Sequence, residues 1–239
     1  MRRLLSIALL TTALLPGAAG AQALTCEVPT TIPRPKPDLP TASQPARRLP
    51  IGGYTLAITW SPEFCRTRRD DPAARLQCGT TNRFGFALHG LWPDGVGKDW
   101  PQYCRATAIL PRHVIRQHLC ATPSPQLLQH EWAKHGTCMT GYTPQRYFAQ
   151  STGMFARLRF PDMAALSRGP VTAGQLAEAV AAANQGIRAE MMRITTTRQG
   201  WLDEIWLCTD MSFRYVGCPG HQGGVAPSTP IQIWRGGRG

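Results

Sequence analysis

Beyond residue 50, short runs of apolar residues alternate with segments in which apolar positions recur every three or four residues. This is the pattern of strands interleaved with amphipathic helices. Residues 54–60 (YTLAITW) and 84–92 (FGFALHGLW) are aromatic and β-branched, and the second follows the turn-prone residues 79–83, so both predict strands. Residues 109–120 predict a short helix opened by Pro111. After the break TPSP at 122–125, residues 126–135 predict a second helix, stopped by Gly136. Residues 143–159 predict a third, with Thr143 at the cap, Pro144 at the first helical position, and Tyr147, Phe148, Phe155 and Leu158 as an apolar stripe. The Ala-rich stretch 172–184 predicts a fourth. Residues 201–209 (WLDEIWLCT) and 211–218 predict two tightly joined strands, followed by a Gly/Pro-rich tail.

The first 50 residues depart from this pattern twice. Arg2 and Arg3 precede an apolar run over 4–15, and small residues follow at Ala19, Ala21 and Ala23. Residues 1–23 therefore predict a secretory signal peptide, whose apolar run is short for a bilayer span. Residues 24–50 form a Pro-rich arm without an apolar period, expected to be extended and to cover the domain surface rather than join its core. Residues 51–239 suffice for one buried catalytic domain. No later stretch is long and uncharged, so the mature chain is expected to be free of the membrane, and a monomer.

Composition then narrows the setting. The eight cysteines, Cys26, Cys65, Cys78, Cys104, Cys120, Cys138, Cys208 and Cys218, are an even number behind an export signal and predict four disulfides. No C-x-x-C pair occurs, which argues against a structural zinc cluster. Export to a bacterial periplasm or to the medium is expected, and the short signal with Arg-heavy composition favours the periplasm. The formal net charge of +12 suits a polyanionic partner, nucleic acid among them, although a solvated basic face is the ordinary alternative.

Two segments carry candidate chemistry. In HEWAKHGTC, a helix turning about 100° per residue places His130 at zero, Lys134 near 40°, Glu131 near 100° and His135 near 140°. Four titratable groups thus share one face, while Trp132 and Ala133 turn toward the core. A zinc protease helix needs H-E-x-x-H, with its second His four residues on. Here the spacing is five, the two imidazoles are splayed, and Lys134 repels a cation, so no metal and no cofactor are expected. In FALHGLWPDG, alternation puts Phe84, Phe86 and Leu88 on one face and turns His89 away, toward a cleft lined by Trp92. Trp92 can stack on a base, or it can be an ordinary core residue.

RNA carries its own nucleophile in the ribose 2′-hydroxyl, and two imidazoles can supply the base and acid its cleavage needs. Lys134 and a protonated His130 would stabilise the anionic transition state, and Glu131 would orient a histidine or bind the phosphoryl group through a proton. The local sequence does not say which histidine is the base. An exported RNA-binding or toxin-like module and a metal-dependent phosphodiesterase remain as alternatives.

FALHGLWPDG and LLQHEWAKHGTC resemble the two active-site segments of the ribonuclease T(2) family, exported endoribonucleases of broad base specificity. YTLAITWSPEFC resembles that family's first strand, and LCTD with Cys218 its C-terminal strand pair. The resemblance implies an α+β fold with a central antiparallel sheet and flanking helices, acting on single-stranded RNA through 2′,3′-cyclic phosphates to 3′-phosphates. It implies His135 as general base, His89 as general acid, His130, Glu131 and Lys134 at the phosphate, and Trp92 on a base, with Asp94, Trp100 and Tyr103 as further base-site candidates. It also implies the pairs Cys104–Cys138 and Cys208–Cys218; Cys65–Cys78 and Cys26–Cys120 complete the expected set.

Overall fold

The computed structural model describes residues 23–236, so all of the expected signal peptide except Ala23 lies outside the described residues. Four strands, β1 (Ile51–Trp60), β2 (Phe86–Gly95), β3 (Met192–Thr196) and β4 (Leu202–Thr209), form an antiparallel sheet in the order β2-β1-β4-β3. Tyr54, Leu56, Ile58 and Trp60 of β1 alternate onto one face with Leu207 and Ile205 of β4, all buried. Four helices complete that core: α1 (Arg112–His118), α2 (Pro125–Lys134), α3 (Pro144–Arg157) and α4 (Ala173–Ala182). The fold is α+β with a central antiparallel sheet.

Local chemistry accounts for where these helices begin. Ser124 caps α2 by accepting from the Leu127 amide, with Pro125 at the first helical position; Thr143 does the same for α3 with the Arg146 amide, ahead of Pro144. At α4, Thr172 and Gln175 form a reciprocal capping box. Trp132, Tyr147 and Phe148, each at most 2% exposed, tie α2 and α3 to the sheet, and deleting any one of these rings is worth about 3–5 kcal/mol.

Two sequence expectations change. Residues 211–218 do not form a strand. Asp210 draws the amides of Ser212 and Arg214 onto its own carboxylate, Phe213 takes a left-handed φ of 60°, and the Cys208–Cys218 disulfide closes the loop. The place beside β4 goes to β3, where Ile194 opposite Ile205 buries on the core face. The Pro-rich arm does lack regular structure over most of its length, yet it is not wholly superficial, because Ile32 is buried in the main core cluster.

The arm is fastened along its course. Cys26 is bonded to Cys120, Arg112 and Arg116 donate to the carbonyls of Thr30 and Pro29, and Arg47 exchanges backbone hydrogen bonds with Gln102. The other disulfides are Cys65–Cys78, Cys104–Cys138 and Cys208–Cys218. Four disulfides fit an oxidising compartment. Among the described residues, no helix is long and apolar enough to cross a membrane.

Candidate active site

The second face of the sheet carries the candidate residues, and an irregularity in β2 sets them up. Ala57 pairs with Gly90 but Ile58 pairs with Leu88, which leaves His89 as the extra residue of a β-bulge. Strict alternation would put Trp92 on the same face as Leu88. The bulge resets the phase, so that Leu88 and Leu91 both bury in the core while Trp92 comes round to the side of His89. The two rings meet edge to face, their centroids 5.0 Å apart.

Helix α2 brings the second histidine to the same indole. The His135 amide makes the last helical bond, to the Glu131 carbonyl, and a short 3₁₀ turn over Gly136–Cys138 follows. The His135 ring lies nearly parallel to Trp92 at 5.6 Å. Glu131, 1% exposed, accepts from Trp92 Nε1 at 2.9 Å and has its other oxygen 3.5 Å from His89 Nε2. It therefore lies beneath the site and not on a solvated helix face. Gly90 makes room for it, because a Cβ there would overlap the Glu131 carboxylate.

The two imidazoles experience opposite fields. Burial works against charge on His89, but the hydrogen bond from Nδ1 to Glu204 at 2.6 Å and the carboxylates of Glu131 and Glu204 outweigh it, raising the pKa to about 9. For His135, burial and the nearby Lys134, His130 and His89 all act in one direction, holding it well below the ordinary imidazole value. At neutral pH His89 carries its proton and His135 does not. Burial pushes the Glu131 carboxyl up to about 7, against the pull of His89, the Trp92 N–H and Lys134.

His130 and Lys134 flank this centre, one helical turn apart. His130 Nδ1 is 2.8 Å from Asp38 of the arm, and its ring stands 6.3 Å from that of His135. Burial and the charges of Lys134 and His89 lower its pKa despite Asp38, so the free protein does not hold it as the fully protonated group the sequence suggested. Burial also lowers Lys134, against Glu131 and Asp38. The helical-wheel argument for splayed histidines needs correcting too. His130, Glu131 and His135 each offer a ligand atom, and these lie within 4.8 Å of one another.

Beside His135 a cavity of about 410 Å³ opens between Trp92, Asp94, Trp100 and Trp206, within the size range of small-molecule sites. Asp94 accepts from Thr55 Oγ1 at 2.7 Å, and Trp206 meets Trp92 edge to face at 5.5 Å. Tyr103 is elsewhere. Its ring borders His130, and its hydroxyl donates to Asp38 at 3.2 Å.

Besides Trp206, sequence reasoning missed four contributors. Glu204 is held by Thr59 Oγ1 and Trp206 Nε1, both at 2.7 Å, and grips His89. A Glu alternating with Ile205 and Leu207 on a central strand was the available signal, since it faces away from the core. Asp38 had no signal in a Pro-rich arm. His221 and Gln222 come to the Trp92 cavity from the C-terminal loops, Gln222 donating to Thr55 Oγ1 at 2.6 Å.

Comparison with known proteins gives one family match, to the model of the ribonuclease T2 family over residues 51–218. A probable ribonuclease of Haemophilus influenzae is 30% identical over 182 residues, covering 72% of this chain and 62% of that protein. A ribonuclease of Aeromonas hydrophila is 41% identical over 86 residues, 36% of each chain, and ribonuclease I of Escherichia coli is 29% identical over 134 residues, 40% of this chain and 49% of the other. The chain thus spans less than two thirds of these relatives' lengths. Among solved structures, the RNase-related protein from Calystegia sepium superposes with TM-score 0.61 at 21% identity, over 77% of this chain and 97% of that one. RNase NT in complex with 5′-AMP gives 0.59 at 20% identity, over 77% and 98%.

Proposed function

Since this chain belongs to the ribonuclease T2 family, we propose that it is an exported, metal-independent endoribonuclease of broad base specificity that cleaves single-stranded RNA. The observation that carries the reading is the opposed proton affinity of two imidazoles packed on one indole, His89 raised and His135 lowered. His135 removes the proton of the ribose 2′-hydroxyl, whose oxygen attacks the adjacent phosphorus. His89 protonates the departing 5′-oxygen, and a 2′,3′-cyclic phosphate forms. In the slower second step the roles reverse, water attacks, and a 3′-phosphate results.

Lys134 and His130 take the phosphoryl oxygens, His130 gaining its proton as the anion binds. Glu131 works from below, holding Trp92 and the charge on His89. A base lies against Trp92 in the cavity with Asp94 and Trp100, where the indoles of Trp92, Trp100 and Trp206 offer stacking faces that suit any base; Tyr103 serves the phosphate side through Asp38. Residues 1–23 direct export to the periplasm or medium, and residues 51–239 act as one monomeric catalytic domain. Digestion of RNA and of DNA of the same sequence in EDTA tests this reading: RNA alone should be cut, and loss of RNA cleavage in the chelator would contradict it.

The donor atoms of His130, Glu131 and His135 favour a second reading, a metal-dependent phosphodiesterase. Against it, Lys134 borders the cluster and Trp92 already occupies one Glu131 oxygen. The same EDTA digestion separates the two.

The pH dependence follows with its sign. Activity requires His135 neutral and His89 charged, so kcat/KM should rise through an acid limb below the ordinary histidine range and fall through an alkaline limb near pH 9. Removing the Glu204 charge weakens the hydrogen bond and abolishes the field that together raise His89, leaving Glu131 and Asp203 to offset burial. In Glu204→Gln the alkaline limb should move down by about one pH unit or more, since a lost charge-assisted bond of about 1.5–3 kcal/mol is that large. An unmoved limb would show that Glu204 does not set the proton affinity of His89.

A further inference from the structure

Within the reading of the site given above, we infer that Asp38, on the Pro-rich arm, is a positioning residue that fixes His130 with Nδ1 turned to the arm and Nε2 left for the phosphate. Asp38 lies outside the residues matched by the family model, which begin at 51.

Its placement follows from two matched spacings. The Lys36 amide donates to Gln126 Oε1 at 2.8 Å, and Gln126 Nε2 returns a bond to the Lys36 carbonyl at 3.3 Å, which docks the arm on the first turn of α2. Gln126 and His130 are four residues apart, hence on one helix face and about 6 Å apart along the axis. Lys36 and Asp38 are two residues apart in extended, Pro-flanked chain, which advances about 6 Å. An arm held at Gln126 and running with the helix therefore delivers the side chain of Asp38 to His130. The observed Nδ1···Oδ2 distance is 2.8 Å, and the Tyr103 hydroxyl donates to the same carboxylate oxygen. Anchors on both sides, Cys26–Cys120 before and the Arg47–Gln102 pairing after, keep the arm from lifting away.

The consequence is chemical. His130 faces Lys134, His135 and Glu131 from its own helix and the residue ending it, His89 from β2, Tyr103 from the loop before α1, and Asp38 from the arm. Lys134 and His89 oppose its charge and Asp38 supports it. A carboxylate on Nδ1–H selects one tautomer, orients the ring, and makes Nε2 more basic, as a second carboxylate does for a metal-bound histidine. Nε2 then takes up a proton when a phosphoryl oxygen arrives.

The test combines rates with a readout that needs no substrate. Asp38→Asn, Asp38→Ala and Asp38→Glu are compared with the wild type in kcat/KM on RNA from pH 5 to 9, and the His130 tautomer is read by ¹⁵N NMR. Asp38→Asn and Asp38→Ala should lose about tenfold or more at neutral pH, the scale of a hydrogen bond to a charged group. Asp38→Glu should recover part of the rate, and Asp38→Ala should lose the single Nδ1–H tautomer. Variants with wild-type rates at every pH and an unchanged tautomer would overturn the inference, as would a rise in kcat/KM, which would mean the carboxylate occupies the phosphate's place. A wild type that leaves RNA intact while the tautomer still depends on Asp38 would contradict the proposed activity and not the positioning.

Discussion

Replacing His135 by Ala is expected to lower kcat/KM on single-stranded RNA by about 10²–10⁴-fold, the usual worth of a positioned acid–base group. The backbone bond that ends α2, from the His135 amide to the Glu131 carbonyl, does not involve the side chain and survives the change. The lost ring packs on Trp92 and faces His130, while Trp132 and Ala133 of the same helix keep their places in the core. Steady-state rates read beside circular dichroism and the melting temperature separate chemistry from folding. A folded variant that cuts RNA within a few-fold of the wild type would place the general base elsewhere.

Gly90→Ala should do nearly as much damage without touching a titrating group. A methyl at this position would overlap the carboxylate of Glu131 and come to 3.0 Å from Trp92 Nε1. Glu131 is 1% exposed and cannot swing into water, so it or Trp92 must shift, and both support the two histidines. A displacement near 1 Å in such a site costs about 10²-fold in rate, and the overpacking costs about 1–3 kcal/mol of stability. Gly153→Ala in α3 is the control, since the nearest atom to its added Cβ is Arg157 Nη1 at 3.6 Å. That variant should keep full activity and be no less stable, because Ala is favoured over Gly inside a helix. Equal activity in the two variants would mean that Gly90 is not the space Glu131 needs.

What the sequence revealed, and what it hid, divides along a physical line. Breaks, caps and composition are local, so α2, α3 and α4 were legible to within two or three residues from the TPSP break and Gly136, from Thr143 and its apolar stripe, and from the Ala-rich run at 172–184. The two histidine segments were legible because each puts several titratable or aromatic groups within a few positions. β3 was not, since Met192–Thr196 is strand only by virtue of its pairing with β4. Residues 211–218 misled for the converse reason, their apolar content being overridden by the turn that Asp210 organises. The bulge at His89 is a property of register between two strands, so no single-strand pattern contains it.

The site shows the same division. Membership of Trp92, Glu131 and His135 in one cluster is close to what the motifs imply, whereas the grip of Glu204 on His89 spans 115 positions and that of Asp38 on His130 spans 92. Direction, too, is a tertiary property. Two histidines of equal intrinsic affinity are driven apart because carboxylates outweigh burial at His89, while burial and the neighbouring Lys134, His130 and His89 act together on His135.

The nature of the RNA ends tests the central claim most directly. Mass spectrometry of single-stranded RNA digested in EDTA should find 2′,3′-cyclic phosphates with 5′-hydroxyl partners at early times, converting to 3′-phosphates later. Fragments carrying 5′-phosphate and 3′-hydroxyl ends would mean that water, and not the 2′-hydroxyl, attacks phosphorus, and would contradict the acid–base roles given to His89 and His135.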